Sequence, residues 1–181
     1  MGDVTKAMPW SNTVDVVRIP GKALKEALEH SVAEYDIHSD DPTGKFLQIS
    51  GLSVKFDVRR PVGERVVTAT LASSDPIIDQ VAYDVAVPSF LVKGGDGYNM
   101  IKDNLVEHRN TGFLDNDLLV SYIRKNTPIG VPNAGRIEVL TSESGGGGDG
   151  QDVSSANVNA GGISIVLSSL VLYLVVVLVL V

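Results

Sequence analysis

The chain contains no cysteine among its 181 residues. Disulfides, thiol nucleophiles and cysteine-ligated zinc are therefore excluded, while the absence by itself fixes no compartment. Histidine is nearly as scarce. His30, His38 and His108 stand far apart, and none belongs to an H-x-H or H-E-x-x-H pattern that would gather a metal. Neither a G-x-S-x-G nucleophile elbow nor a phosphate-binding P-loop occurs. Positive charge is also in deficit. A net charge of −7 and a pI of about 4.8 argue against nucleic acid as a partner. Met1-Gly2-Asp3-Val4-Thr5-Lys6 has no apolar h-region, so no secretory signal is expected there. No constellation in the chain reads as catalytic; the residues alone point to a binding or structural domain with a C-terminal anchor.

What the chain has in quantity is apolar sequence at its end. No charged residue occurs from Val153 to Val181, and Ile163–Val181 is a 19-residue apolar run. As a helix this run would span roughly 28 Å, about a bilayer core. Small residues, a polar spacer and a terminal apolar run are equally the ingredients of a glycosylphosphatidylinositol (GPI) attachment signal, with candidate sites among Asp149-Gly150 and Ser154-Ser155-Ala156-Asn157. The lack of flanking basic residues favours that signal over a membrane-spanning helix. Ser142–Gly162 is rich in glycine, serine and asparagine and reads as a flexible linker. The expected plan is one α+β domain over residues 1–140, a linker over 141–162 and a hydrophobic tail over 163–181.

Within the domain, hydrophobic periodicity predicts mixed strands and about three helices. Strands are expected at Thr13–Ile19, at Leu52–Val58 and Arg65–Leu71 as a hairpin, at Asp79–Val87 and at Gly135–Leu140. Helices are expected at Gly21–Tyr35, Gly97–His108 and Asp115–Asn126, the last with Leu118, Leu119, Tyr122 and Ile123 inward. On the first helix, Lys22/Glu26 and Lys25/Glu29 form i,i+4 pairs on the solvated face. His30 borders the apolar face and reads as a packing residue. The Asp40-Asp41 pair could hold a cation but fits a solvated loop tip better.

The most informative stretch is Pro88–Tyr98. A strand runs into it, a helical pattern with Met100, Ile101, Leu105 and His108 near one face leaves it, and Gly94, Gly95, Asp96 and Gly97 lie between. Glycine allows positive φ and close approach of backbone to a ligand. The aspartate could cap the following helix or accept bonds from hydroxyls. On pattern alone a tight turn with an N-cap explains the segment. A dinucleotide fingerprint does not, because the third glycine is missing, and neither does a calcium loop, which needs more carboxylates.

Pro88-Ser89-Phe90-Leu91-Val92-Lys93-Gly94-Gly95-Asp96-Gly97-Tyr98-Asn99-Met100 resembles the P-x-F-L-x-x-G-G-D-G-[FY]-x-M motif of the 5′-nucleotidase family. The resemblance extends through Met8–Thr13, Gly21–Val32 and Gly44–Leu52 to Gly135-Arg136-Ile137, covering roughly residues 1–140. It implies the family's C-terminal nucleoside-binding domain. Phe90 would be one of two rings gripping the base, and Trp10, in a segment matching a Pro-Phe-Gly-like motif, would be the other. Asp96 would accept the ribose hydroxyls, with Gly94 and Gly95 shaping the loop. The resemblance further implies two divalent metal ions, zinc by preference, in a separate N-terminal domain whose G-N-H-[DE] and G-H-x-H motifs do not occur here. This chain is expected to carry no catalytic residue, no metal ligand and no cofactor of its own. The expected function is the substrate-binding portion of an enzyme hydrolysing AMP-like nucleoside 5′-monophosphates. An apyrase acting on di- and triphosphates and a non-catalytic anchored nucleoside-binding module are the alternatives. Implied partners are a nucleoside or nucleotide and a membrane at the cell surface, with no nucleic acid and with homodimerisation left open.

Overall fold

A computed structural model describes residues 4, 6, 8–36, 38–39, 44–130, 134–141 and 176–180. Among the described residues two sheets and four helices make an α+β domain, the class that the residue pattern predicts, with one helix more than the expected three. The larger sheet has five strands in the order β2 (Gln48–Ser50), β8 (Val176–Leu180), β5 (Ala82–Pro88), β1 (Thr13–Pro20) and β6 (Glu107–Leu114). The smaller has three, β4 (Val66–Leu71), β3 (Leu52–Asp57) and β7 (Ile137–Leu140). β1 is antiparallel to both β5 and β6. β3 is antiparallel to β4 and parallel to β7.

Alternation along β1 sends Asp15, Val17 and Ile19 into the interior, as period-two geometry requires. Pro20 then ends the ladder, and α1 (Gly21–Ser31) turns back over it. Gly21 is required at this corner, since a Cβ would stand 2.2 Å from the Ile78 carbonyl oxygen. Ala23, Leu24, Ala27 and Leu28 form the buried stripe of α1 and share one core with Val85, Val87, Leu91, Tyr98 and Ile101. That stripe follows the 3.6-residue period read from the sequence.

Four features depart from the sequence reading. The first helix ends at Ser31 rather than Tyr35; the Ser31 hydroxyl donates to the Leu28 carbonyl at 2.7 Å and occupies an acceptor of the last turn. Lys25 and Glu29 do not pair along the helix. Lys25 instead bonds Asp79 at 2.8 Å, and Glu29 accepts the backbone amides of Arg65 and Val66 at 2.9 and 2.7 Å. The second helix is shorter than expected. Of Gly97–His108 only α3 (Asn99–Asp103) is α-helical; α2 (Ser89–Val92), which the pattern did not predict, and a 3₁₀ turn (Gly95–Gly97) precede it, and His108 belongs to β6. Finally, α4 (Asp115–Asn126) has the predicted bounds but not the predicted burial. Asp115 is its only buried residue, while Leu118 is 38% and Tyr122 61% exposed. Among the described residues its larger contacts are with edge strand β6 alone; periodicity reveals which face is apolar without saying what covers it.

The linker, the Asp40-Asp41 pair and most of the tail lie outside the described residues. Within the tail, Val176–Leu180 forms β8, parallel to β2 and antiparallel to β5. No helix among the described residues is long and apolar enough to cross a membrane.

Candidate functional site

The β1–β5 ladder brings the distant candidates to one end of the sheet. Val14 pairs with Pro88. Trp10 lies four residues before Val14, and Phe90 two residues after Pro88, so both leave the ladder at the same end. The turn at Trp10 contains Ser11 at φ 50°, and the Asn12 carbonyl accepts the Asp115 amide at 2.9 Å. Trp10 is 55% exposed. Phe90 is half-buried and packs against the core. One aromatic is thus held by the core, and the other presents most of its surface to solvent.

Backbone geometry explains the glycines. The Gly94 amide bonds the Leu91 carbonyl at 2.9 Å, and Gly94 itself is left-handed at φ 84°, stopping α2 as a C′ glycine does. Gly95 lies against Phe90: a Cβ there would stand 2.5 Å from the ring carbons. Asp96 adopts φ 52° and ψ 21°, a region that aspartate tolerates better than most residues. Gly97 returns to φ 84°, with the His30 ring 3.1 Å from where its Cβ would be. Aspartate as an N-cap is not what forms. Tyr98 occupies that position before α3, without a side-chain cap. Among the described residues no hydrogen-bond donor reaches the Asp96 carboxylate, which leaves both oxygens for other acceptor roles.

Two neighbours support the loop from beneath. His30, in the last turn of α1, places Nε2 2.8 Å from the Asp96 carbonyl oxygen. Its ring meets Tyr98 edge-on, with centroids 4.7 Å apart at 83°. Tyr98 is 1% exposed, and its hydroxyl donates to the Lys45 carbonyl at 2.5 Å. Burial, and next the nearby Asp96 charge, push the Tyr98 phenol far above its ordinary range, so it acts only as a neutral donor. The reading of His30 as a packing residue holds, but its bond to Asp96 was not legible: 66 positions separate them.

A second polar group was missed although it left a trace. Asp15 interrupts a run of valines at the inward phase of β1. It is 1% exposed and accepts the Thr13 hydroxyl at 2.9 Å and His108 Nε2 at 2.7 Å. A charge at a buried strand position calls for such partners. At the start of α4, burial raises the carboxyl pKa of Asp115.

Among the described residues no three histidine, aspartate or glutamate side chains lie close enough together to hold a metal ion. The described residues therefore offer no site that fits such an ion, and no chemical step is assigned to metals in this chain.

Comparisons with known proteins agree with this fold. Residues 1–103 match the family described as 5′-nucleotidase, C-terminal domain. Human 5′-nucleotidase is 37% identical over 146 residues, covering 77% of this chain and 25% of its own length. The bovine 5′-nucleotidase is 36% identical, with 75% of this chain and 24% of its own length covered. The crystal structure of a 5′-nucleotidase precursor from Thermus thermophilus superposes with a TM-score of 0.73 at 33% identity, covering 78% of this chain and 28% of that one. The chain thus spans about a quarter of the length of the relatives it matches. With the family match and the fold in agreement, the chain belongs to the 5′-nucleotidase family, through its C-terminal domain.

Proposed function

We propose that this chain supplies the nucleoside-binding wall of a 5′-nucleotidase acting on nucleoside 5′-monophosphates such as AMP. The base inserts between Phe90 and Trp10, and the Asp96 carboxylate accepts the ribose hydroxyls. The observation that carries this reading is the shared end of the β1–β5 ladder, from which both aromatics emerge, Phe90 lying against Gly95 of the glycine loop. Stacking on aromatic faces contributes about 1–3 kcal/mol per base and tolerates different bases. A carboxylate opposite vicinal hydroxyls can accept two bonds and rewards ribose over deoxyribose. Hydrolysis itself belongs to the metal-bearing domain that the family resemblance implies, so this domain alone binds without turning over. Attachment at the cell surface through the C-terminal segment, by a GPI signal, is part of the same proposal and rests on its composition.

The test is intrinsic fluorescence. Trp10 is the only tryptophan in the chain, so the signal reports from the proposed site. Titration with adenosine should quench it saturably, with a dissociation constant on the order of 10⁻³ M for an isolated half-site. The quench should vanish in Phe90→Ala and weaken in Asp96→Asn. A folded chain that shows no response up to tens of millimolar adenosine would remove the base sandwich from this chain and leave its family unchanged.

A further inference from the structure

The Gly94–Gly97 loop is an unusual support for a ligand-binding carboxylate. Asp96 is the one residue in it that is not glycine, and it is held at positive φ between Gly94 and Gly97, which are also at positive φ. Loop backbone of this kind is free to reorient unless something outside it fixes the peptide planes. The described contacts name one such anchor. His30 Nε2 lies 2.8 Å from the Asp96 carbonyl oxygen. A carbonyl can only accept, so Nε2 carries the proton and donates. The ring is held in turn by Tyr98, edge-on at 4.7 Å, and it closes on Gly97 so tightly that a Cβ would meet it at 3.1 Å. His30 itself sits on α1, whose buried stripe belongs to the rigid core. The bond therefore ties the peptide that aims the Asp96 carboxylate to the helix that buries most residues among the described elements.

We infer that His30 is a positioning residue for ribose recognition: by donating to the Asp96 carbonyl it fixes the direction of the Asp96 carboxylate, without touching the nucleoside. The inference rests on the nucleoside reading of Asp96 given above. It separates His30 from ordinary core packing, because packing would support every ligand equally, whereas this bond supports only the part of the ligand that Asp96 holds.

Two substitutions divide the roles of the ring. His30→Phe keeps an aromatic edge against Tyr98 and removes the donor. His30→Gln gives up the ring and keeps an N–H of similar reach. The probes are adenosine and 2′,3′-dideoxyadenosine, which lacks the hydroxyls that Asp96 would bind, both titrated against the full chain by Trp10 fluorescence. The unsubstituted chain should prefer adenosine. His30→Phe should weaken adenosine by about tenfold, the scale of one well-made hydrogen bond, and leave dideoxyadenosine within about twofold. His30→Gln should restore most of the preference. In the ligand-free chain, the Gly97 amide, bonded to the Gly94 carbonyl at 3.2 Å, should exchange faster in His30→Phe than in His30→Gln. Equal loss for both nucleosides, or unchanged preference and unchanged Gly97 exchange in His30→Phe, overturns the positioning role. An unsubstituted chain that binds both nucleosides equally overturns the ribose reading of Asp96 instead, and the positioning role falls with it.

Discussion

Gly95 and Phe90 pack at a range that only a glycine permits: a Cβ on Gly95 would lie 2.5 Å from the Cε1 and Cζ carbons of the ring. No side chain fits that gap, so the ring must move if one is introduced. Gly95→Ala is expected to tilt Phe90 off its present position, at a cost of roughly 1–3 kcal/mol in stability from overpacking. If Phe90 stacks the base, adenosine affinity should fall at least about fivefold, since a displaced ring forfeits much of a stacking contribution of about 1–3 kcal/mol. Thermal unfolding together with the Trp10 titration checks both halves. A destabilised variant with unaltered affinity would mean that the ring is only a structural cover for the glycine loop.

Glu29 clamps α1 to β4 by accepting two successive backbone amides, Arg65 at 2.9 Å and Val66 at 2.7 Å. The Arg65 guanidinium completes the junction by donating to the Val32 and Ala33 carbonyls just past the helix end. Replacing the carboxylate leaves two part-buried donors without acceptors. Glu29→Ala is expected to destabilise the fold by about 1–3 kcal/mol. Glu29→Gln, which retains one acceptor oxygen, should lose less. Urea unfolding of the three chains would show it; equal stability of Glu29→Ala and the parent would mean that water replaces the clamp at no cost.

The Glu29 clamp also shows where sequence reading stops. Spacing alone offers Lys25 as the partner of Glu29, because the i,i+4 rule knows only the helix. The actual donors come from backbone 36 and 37 residues away. The same limit explains β6. Glu107-His108-Arg109-Asn110-Thr111-Gly112 has no alternation, since an edge strand exposed on most of its length need not bury one face. Its place is set by the β1 backbone, which pairs with it from Thr13 to Arg18. Elements that bury a face were legible: β1, β3, β5 and the stripe on α1 follow their periods within a few residues. In the site, the local motif pointed to Phe90, Gly94, Gly95 and Asp96, and the resemblance added Trp10. His30 and Tyr98 escaped because their contribution consists of contacts across the fold.

Acid should expose a local weakness at the end of β3. The Asp57 carboxyl is lowered from the ordinary 3.8 to about 2. Its main cause is the Arg59 side chain, which donates through Nε and Nη2 at 2.7 and 2.8 Å; partial burial opposes the shift, and the Arg59 amide and the charges of Arg59 and Arg60 add to it. A carboxylate whose pKa is lower in the fold than in the unfolded chain contributes stability above the unfolded value. That contribution disappears as pH falls through the folded value. The melting temperature of the parent should therefore drop between about pH 4 and pH 2, and Asp57→Asn should melt lower at neutral pH while losing less over that interval. Parallel melting curves for the two chains across that range would contradict the assignment.

The tail offers the sharpest test of the sheet, because one segment cannot occupy two environments. Val176–Leu180 stands between β2 and β5, with Ala86 opposite Leu178 and Asp84 opposite Leu180. Opposed residues in an antiparallel pair have Cα atoms about 4.5–5.5 Å apart, within reach of a disulfide, whereas diagonal neighbours lie about 7–8 Å apart. The chain has no cysteine to interfere. Ala86→Cys combined with Leu178→Cys should therefore oxidise to an intrachain bridge, and Ala86→Cys combined with Leu180→Cys should do so poorly. Adding phospholipid vesicles before oxidation then asks where the apolar run prefers to be. If it inserts into lipid, as a membrane-attachment segment would, residues 176–180 leave the ladder, β5 loses a neighbour, and the yield of the first bridge falls. If the yield is unchanged, the strand position outcompetes the membrane. Equal yields for both cysteine pairs in solution would show that this register is not held.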